Sequence, residues 1–299
     1  MKYKQSIGSK AFDIINCLLM IFFMIIILYP FLNIIAVSFS DASHIGIGDI
    51  TIWPKGFTLA SYAFVFKDPF VYRGYFNSIV YAIGTTAIML VCTSLMAYPL
   101  SISGFIGKKF ITIFLTITMF FGGGLIPTYL LMRNLHLLNT VWVMIIPGCV
   151  GAFNVFLFRT FFQSIPNELR ESALLDGAND IVILFKIILP LSKALIATFA
   201  LFGIVGSWNS WFNGLIYLQD QNKYPLQLIL RNYLYVLDAS SISQRAGVTT
   251  SSNPLLSRQL DPQGIRMGMV VVTMFPIMMI YPFFQKYFVK GIMIGAIKG

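Results

Sequence analysis

Charge is scarce in this chain: only 11% of its 299 residues are Asp, Glu, Lys or Arg, less than half the share of about 25% in a typical soluble domain. With 57% hydrophobic residues and a mean hydropathy of +0.79, a water-soluble fold of this size has too little interior to hide the apolar surface. Cysteine is rare as well. Cys17, Cys92 and Cys149 all lie inside apolar runs, so neither a disulfide framework nor a zinc site is expected. No His, Cys or carboxylate set stands at metal-ligand spacing, and a lone His136 reads as a surface or capping residue. There is no paired Asp, no H-E-x-x-H and no nucleophile with its base, so no catalytic residue is assigned. The phosphate cradle G-x-x-x-x-G-K-[ST] is missing too, since Gly8-Ser9-Lys10 lacks the upstream glycine. Any ATP hydrolysis then belongs to another polypeptide.

What remains is apolar and long. Six segments have centres free of Asp, Glu, Lys and Arg: Ile14 to Phe39, Asn77 to Ser103, Phe110 to Met132, Val141 to Phe158, Ala194 to Gln219 and Met267 to Gln285. Each approaches or exceeds the roughly 20 residues that cross a hydrocarbon core as a helix. The expected fold is therefore an all-α membrane protein with six transmembrane helices. A cleaved signal peptide is the other reading of the first segment, but its run is longer than a signal h-region. The net charge of +10 does not mark a nucleic-acid surface, because the cations cluster at the ends of apolar runs rather than on a solvated face. Lys2, Lys4 and Lys10, then Lys108 and Lys109, then Lys286, Lys290 and Lys298 flank one side, against Arg133 in the short third-to-fourth connection. The positive-inside bias places both termini in the cytoplasm. Residues 1–13 are then a cytoplasmic N-terminus, 14–285 a six-helix domain and 286–299 a cytoplasmic tail. Asp41 to Tyr75 and 220–266 become external loops, the latter with a surface helix from Pro225 to Leu237 and a Ser/Thr-rich stretch, 239–253, expected to be mobile.

The most informative stretch runs from Ser164 to Pro190, between the fourth and fifth segments. Pro166 suits a first helical turn, Glu168 and Glu171 favour a helix N-terminus, and Gly177 suits a left-handed helix end. A short helix, a glycine turn and a second helix from about Asn179 to Leu189 are expected, with Ile181, Leu184, Phe185 and Ile188 at helical spacing and Pro190 marking entry to the fifth segment. Physics alone leaves two readings: an interfacial hairpin anchored in headgroups, or a helix offered to a cytoplasmic partner.

Glu171-Ser172-Ala173, then Gly177, then Ile187 with Leu189-Pro190, resemble the EAA loop of ABC importer permeases, in which EAA, three residues, G and nine residues precede I-x-L-P. Ser172 replaces the middle Ala. Asp176-Gly177-Ala178, the Trp208-Asn209 pair and the tail from Tyr287 to Gly299 resemble the MalG-like carbohydrate branch. Phe121-Gly122-Gly123-Gly124-Leu125-Ile126-Pro127 resembles the LplC and YtcP kind of Gram-positive permease. The resemblance implies a multi-pass subunit of the bacterial cytoplasmic membrane that forms half of the path for a sugar, expected to be an oligosaccharide. It implies a second, homologous permease, two cytoplasmic ATPase subunits holding ATP and Mg, and an extracellular solute-binding protein. Glu171, Ser172, Ala173, Asp176, Gly177 and Ala178 would form the coupling element. The tail from Lys290 would lie along the ATPases or, alternatively, on anionic lipid.

Trp208 and Trp211 at i, i+3, and Asn209 and Asn213 at i, i+4, set aromatic planes beside amides late in the fifth segment. That combination suits a sugar, while an aromatic belt with Asn bonded to a neighbouring helix is the alternative. Gly122, Gly123 and Gly124 with Pro127 are expected to break the third helix, either as part of a gate or as a close-packing site, with Tyr129 nearby. An ion-coupled secondary transporter is the rival function; the span centres lack the ionisable groups it would use.

Overall fold

The computed structural model describes residues 7–245 and 261–296, with side chains from 8 to 237 and from 261 to 283. The described residues are helical, with turns and no strand. Lys2, Lys4, Lys298 and the 246–253 part of the Ser/Thr-rich stretch lie outside them, as do the side chains of Lys286 and Lys290. The chain divides into two compact units, one of residues 1–69 with 232–274 and one of residues 70–231 with 275–299.

In the first unit, α1 (Ile7–Ser38) is apolar on all sides, and Phe12 through Tyr29 leave their large side chains exposed. Such a helix is solvated by lipid or covered by another chain. Its last turns meet this unit, where Ala36 and Val37 join Ile45 of α2 (Ala42–Ile47) and Ile50, with Met267 packed against them. Asn33 donates to the Ile50 and Thr51 carbonyls at 3.1 and 2.7 Å. The Ser38 hydroxyl bonds Tyr62 of α3 (Ala60–Val65) at 2.7 Å.

The second unit is organised by α4 (Pro69–Ser101). Its buried residues include Val71, Gly74, Ser78, Ala82, Thr86, Met89, Thr93, Ala97 and Leu100, a stripe at steps of three and four that keeps one face inward along the whole helix. A neighbouring helix, α12 (Lys193–Trp208), approaches α4 closely at Gly203, where a β-carbon would meet the Thr86 Oγ1 at 2.8 Å.

Among the described residues, three helices are long and apolar enough to cross a membrane: Gly8–Ser38, Pro69–Ser101 and Pro262–Phe283. Three more candidates are bent pairs, giving up to six spans if each pair counts as one. α5 (Lys108–Phe120) and α6 (Leu125–Asn134) turn by 116° at the three glycines, sharper than a loosened helix. The Val141 to Phe158 segment is not continuous. α7 (Trp142–Ile145) passes into a 3-10 turn, Ile146–Gly148, and a break precedes α8 (Ala152–Gln163), at a 54° bend. Pro147 lacks the amide that would continue the ladder, and extended Gly151 (φ −115, ψ 126) precedes the new helix. The Ala194 to Gln219 segment also divides, because Asn209 and Ser210 separate α12 from α13 (Trp211–Tyr217). The surface helix expected over Pro225 to Leu237 is α14 (Leu226–Arg245), longer than foreseen, so 239–245 is helical rather than a loose extension. The last helix, α15 (Pro262–Ala296), runs on past Gln285, so the expected tail continues the helix through residue 296.

Candidate functional site

The stretch from Ser164 to Pro190 folds as a helical hairpin. α9 (Asn167–Leu175) follows Pro166 and carries Glu168 in its first turn, where the free amides favour an acid. It closes on Gly177 at φ +82. The Ala178 amide donates to the Ala173 carbonyl at 2.9 Å and the Gly177 amide to Leu174 at 3.0 Å, the paired closing bonds of a Schellman turn. Asn179 then caps the second arm, its Oδ1 accepting from the Val182 amide at 2.8 Å. This arm comprises α10 (Asp180–Ile183), a π turn at Leu184–Ile188 and α11 (Leu189–Leu191).

Ala173, at 8% exposure, packs with Ile183, Leu184 and Ile188 against Ala97, Tyr98 and Leu100 of α4 and Phe158 and Phe162 of α8. Ile181 and Phe185 are exposed. The buried register is 183, 184 and 188, one position round the helix, and the π turn widens the arm there. The two arms are also joined by charge. Arg170 Nη2 donates to Asp180 Oδ1 at 3.1 Å, and the Tyr98 hydroxyl donates to the same oxygen at 3.0 Å. Burial works against the Arg170 charge, but its bonds to Tyr98 and Asp180 outweigh that and raise its pKa above the usual value. A cavity of about 220 Å³ opens beside Arg170, lined by Tyr98, Ser101, Gln163 and Asn167 among others.

The outer face of the hairpin is exposed among the described residues. Glu171, Ser172, Asp176 and Gly177 are exposed, and Leu175 stands out at 90% exposure between the acids. Of the six residues expected to form the coupling element, Ala173 thus faces inward and Ala178 is half-buried. Tyr98, Arg170 and Asp180 were not anticipated. Opposite charges on the two arms hinted at the pair; nothing in the pattern pointed to Tyr98.

The second group of expected residues is arranged differently from its helical spacing. α12 ends at Trp208, and Ser210 (φ −81, ψ 68) breaks the helix before Trp211, so the two indoles do not share a helix face. Trp208, 2% exposed, lies edge-on to Tyr75 with ring centres 6.1 Å apart. Trp211 is 37% exposed, and the Arg231 guanidinium of α14 sits 4.8 Å from its ring centre. Asn209 is exposed and its Oδ1 accepts from Gln227 at 3.2 Å; Asn213 is exposed as well. The result is a cluster of one exposed indole, a half-buried guanidinium and the amides of Asn209 and Gln227. Gln227 and Arg231 complete it, and sequence reading passed over both because they lie on a separate surface helix.

At the third helix, Gly124 holds φ +80 and ψ 179, a region open essentially to glycine alone. Gly122, Gly123, Gly124 and Pro127 are all exposed, whereas Tyr129 is half-buried and stacks on Tyr217 at 6.2 Å. Among the described residues, no group of three or more His, Cys, Asp or Glu could hold a metal ion.

Residues 82–294 match the family described as binding-protein-dependent transport system inner membrane component. The chain is 39% identical over 293 residues to the protein LplC of Bacillus subtilis strain 168, covering 98% of this chain and 96% of that one. It is 36% identical over 292 residues to the polygalacturonan/rhamnogalacturonan transport system permease protein YtcP of the same organism, covering 97% and 99%. A solved bacterial ABC transporter involved in import of the acidic polysaccharide alginate superposes with a TM-score of 0.85 at 29% identity, over 95% of this chain and 99% of that one.

Proposed function

Because the chain belongs to the family of binding-protein-dependent transport system inner membrane components, we propose that it is the permease subunit of an ABC importer for an oligosaccharide, carrying half of the translocation path. It is not itself an enzyme; ATP and Mg belong to separate ATPase subunits. In this reading α5 with α6, α7 with α8, and α12 with α13 each count as one span, both termini are cytoplasmic, and the 164–190 hairpin lies on the cytoplasmic side as the coupling element, set off from α12 by the 84° bend. One observation carries it. A Schellman turn shapes the hairpin and its buried Ala173, Ile183, Leu184 and Ile188 hold it on α4 and α8, yet Leu175 and the acids Glu171 and Asp176 beside it are exposed and, among the described residues, their side chains make no hydrogen bond or ion pair. An interfacial anchor would bury such a leucine in headgroups without needing flanking carboxylates, which anionic lipid repels.

Trp211, Asn209, Asn213, Gln227 and Arg231 form the sugar-facing surface, and the 116° turn at Gly122–Gly124 contributes to the gate. An indole face packs on sugar C–H groups, the amides exchange hydrogen bonds with hydroxyls, and the guanidinium pairs with a carboxylate. The relatives named for polygalacturonan and for alginate handle acidic sugars, and Arg231 suits the same class here. A second homologous permease and an extracellular solute-binding protein complete the machine in the bacterial cytoplasmic membrane.

The test is purification from the native membrane followed by reconstitution. An ATPase and a second permease should travel with this chain, and vesicles holding the whole complex should concentrate oligosaccharide only when ATP is supplied. Uptake by this chain alone, driven by an ion gradient, would refute the reading and favour a secondary transporter.

A further inference from the structure

We propose that α4 is the connecting rod between the coupling hairpin and the sugar-facing cluster, and that Tyr98, Asp180 and Arg170 are the latch at its inner end. The inference rests on the coupling role proposed above for the hairpin and adds to it the part of the chain that carries the movement onward.

Both ends of α4 are bonded to the elements in question. At one end the Tyr98 hydroxyl and Arg170 converge on the same carboxylate oxygen of Asp180, at 3.0 and 3.1 Å, which ties both arms of the hairpin to one turn of α4. At the other end, Asn77 donates to the Asn222 and Tyr224 carbonyls at 2.8 and 3.1 Å. The Tyr81 hydroxyl donates to the Lys223 carbonyl at 2.8 Å, and the Ser78 hydroxyl accepts from the Leu226 amide at 2.8 Å. These bonds hold the start of α14, whose Gln227 and Arg231 reach Asn209 and Trp211. Tyr75, also on α4, packs on Trp208.

Between the two ends the helix is stiff. From Asn77 to Tyr98 the axis covers about 32 Å at 1.5 Å per residue. α4 is a single 33-residue helix, whereas the candidate spans between 108 and 208 are bent by 116°, 54° and 84°. Its interior proline, Pro99, disturbs only the last turn, where it leaves the Leu95 carbonyl without its amide partner, and the helix runs unbroken from Pro69 to Ser101. A push on the hairpin therefore reaches the cluster as displacement of α4, while a bent pair would absorb it at the break.

The experiment compares oligosaccharide imported per ATP hydrolysed, in vesicles holding the complete complex. The probe is whichever member of a panel of galacturonate and neutral oligomers the wild-type complex imports. Tyr98→Phe keeps the buried ring and removes one hydrogen bond to a carboxylate; it should lower the ratio about tenfold. Tyr81→Phe at the far end should lower the same ratio, and the double variant should fall no further than the worse single one, because both interrupt one rod. A purely structural role would reduce the amount of assembled complex and leave the ratio intact. Asp180→Asn, on a half-exposed side chain, keeps the test open if either tyrosine variant assembles poorly. Unchanged ratios in all three variants would overturn the rod while leaving the importer reading in place. A wild-type complex with no ATP-dependent uptake of any panel member would instead overturn the importer reading, and the rod with it.

Discussion

Gly177→Val perturbs the hairpin at one dihedral. A β-carbon at Gly177 would find nothing within 4 Å, so the substitution meets no steric barrier from the surroundings and its whole effect is in the backbone. At φ +82 an ordinary L-residue costs about 1 to 2 kcal/mol, and a β-branched one is a clear outlier. If the turn relaxes to avoid that strain, the 2.9 and 3.0 Å closing bonds from Ala178 and Gly177 are lost, at about 1 kcal/mol each. Either route disfavours the native turn by roughly 2 kcal/mol, about thirtyfold in population. The hairpin's core contacts lie on either side of the turn and survive, so the variant should insert and assemble. In vesicles holding the complete complex, stimulation of ATP hydrolysis by the sugar-loaded binding protein should collapse. Gly177→Asn is the control, since Asn tolerates the left-handed region and should retain most of the stimulation. Full stimulation in the Val variant, or equal loss in the Asn variant, would refute the reasoning.

Other consequences concern the sugar path and the fold. Trp208 is buried against Tyr75, so Trp208→Ala should destabilise the subunit by about 3 to 5 kcal/mol and lower its yield. Trp211→Ala should leave the yield intact and raise the sugar concentration needed for half-maximal uptake; the opposite pattern would return Trp211 to a structural role. Arg231→Gln should reduce uptake of a galacturonate oligomer about tenfold more than that of a neutral one, and equal reduction would remove the carboxylate reading. Gly124→Ala forces a β-carbon into φ +80 and ψ 179, a strain of about 1 to 3 kcal/mol. It should slow transport without blocking assembly, and normal rates would show that the break plays no part in gating.

Sequence pattern was most legible where the local chemistry was self-contained. Pro166, Glu168, Gly177 and Asn179 each specify their own turn, and the hairpin folds as those residues dictate. The long apolar runs announced a membrane chain, and α4 realises its run almost unbroken. Breaks were less legible. Three consecutive glycines signalled the turn between α5 and α6, but the interruptions near Pro147 and at Asn209 lie in runs that carry no charge, so a search for spans by the absence of Asp, Glu, Lys and Arg passes over them. The helical spacing of Trp208 and Trp211 misled for the same reason, because a two-residue break cancels the periodicity on which a shared face depends. Partners distant in sequence were not legible at all. Tyr98 meets Asp180, and Arg231 meets Trp211, only because separate helices pack together.

In the proposed importer, the exposed tip of the 164–190 hairpin receives force from an ATPase subunit. Ser172→Cys places a thiol on that exposed face without touching the buried contacts of Ala173. In the assembled complex, a short thiol-specific cross-linker with a photoreactive arm should join this position to the ATPase, in a yield that changes when ATP is bound. Labelling of lipid alone, with no ATPase adduct in any nucleotide state, would contradict the account.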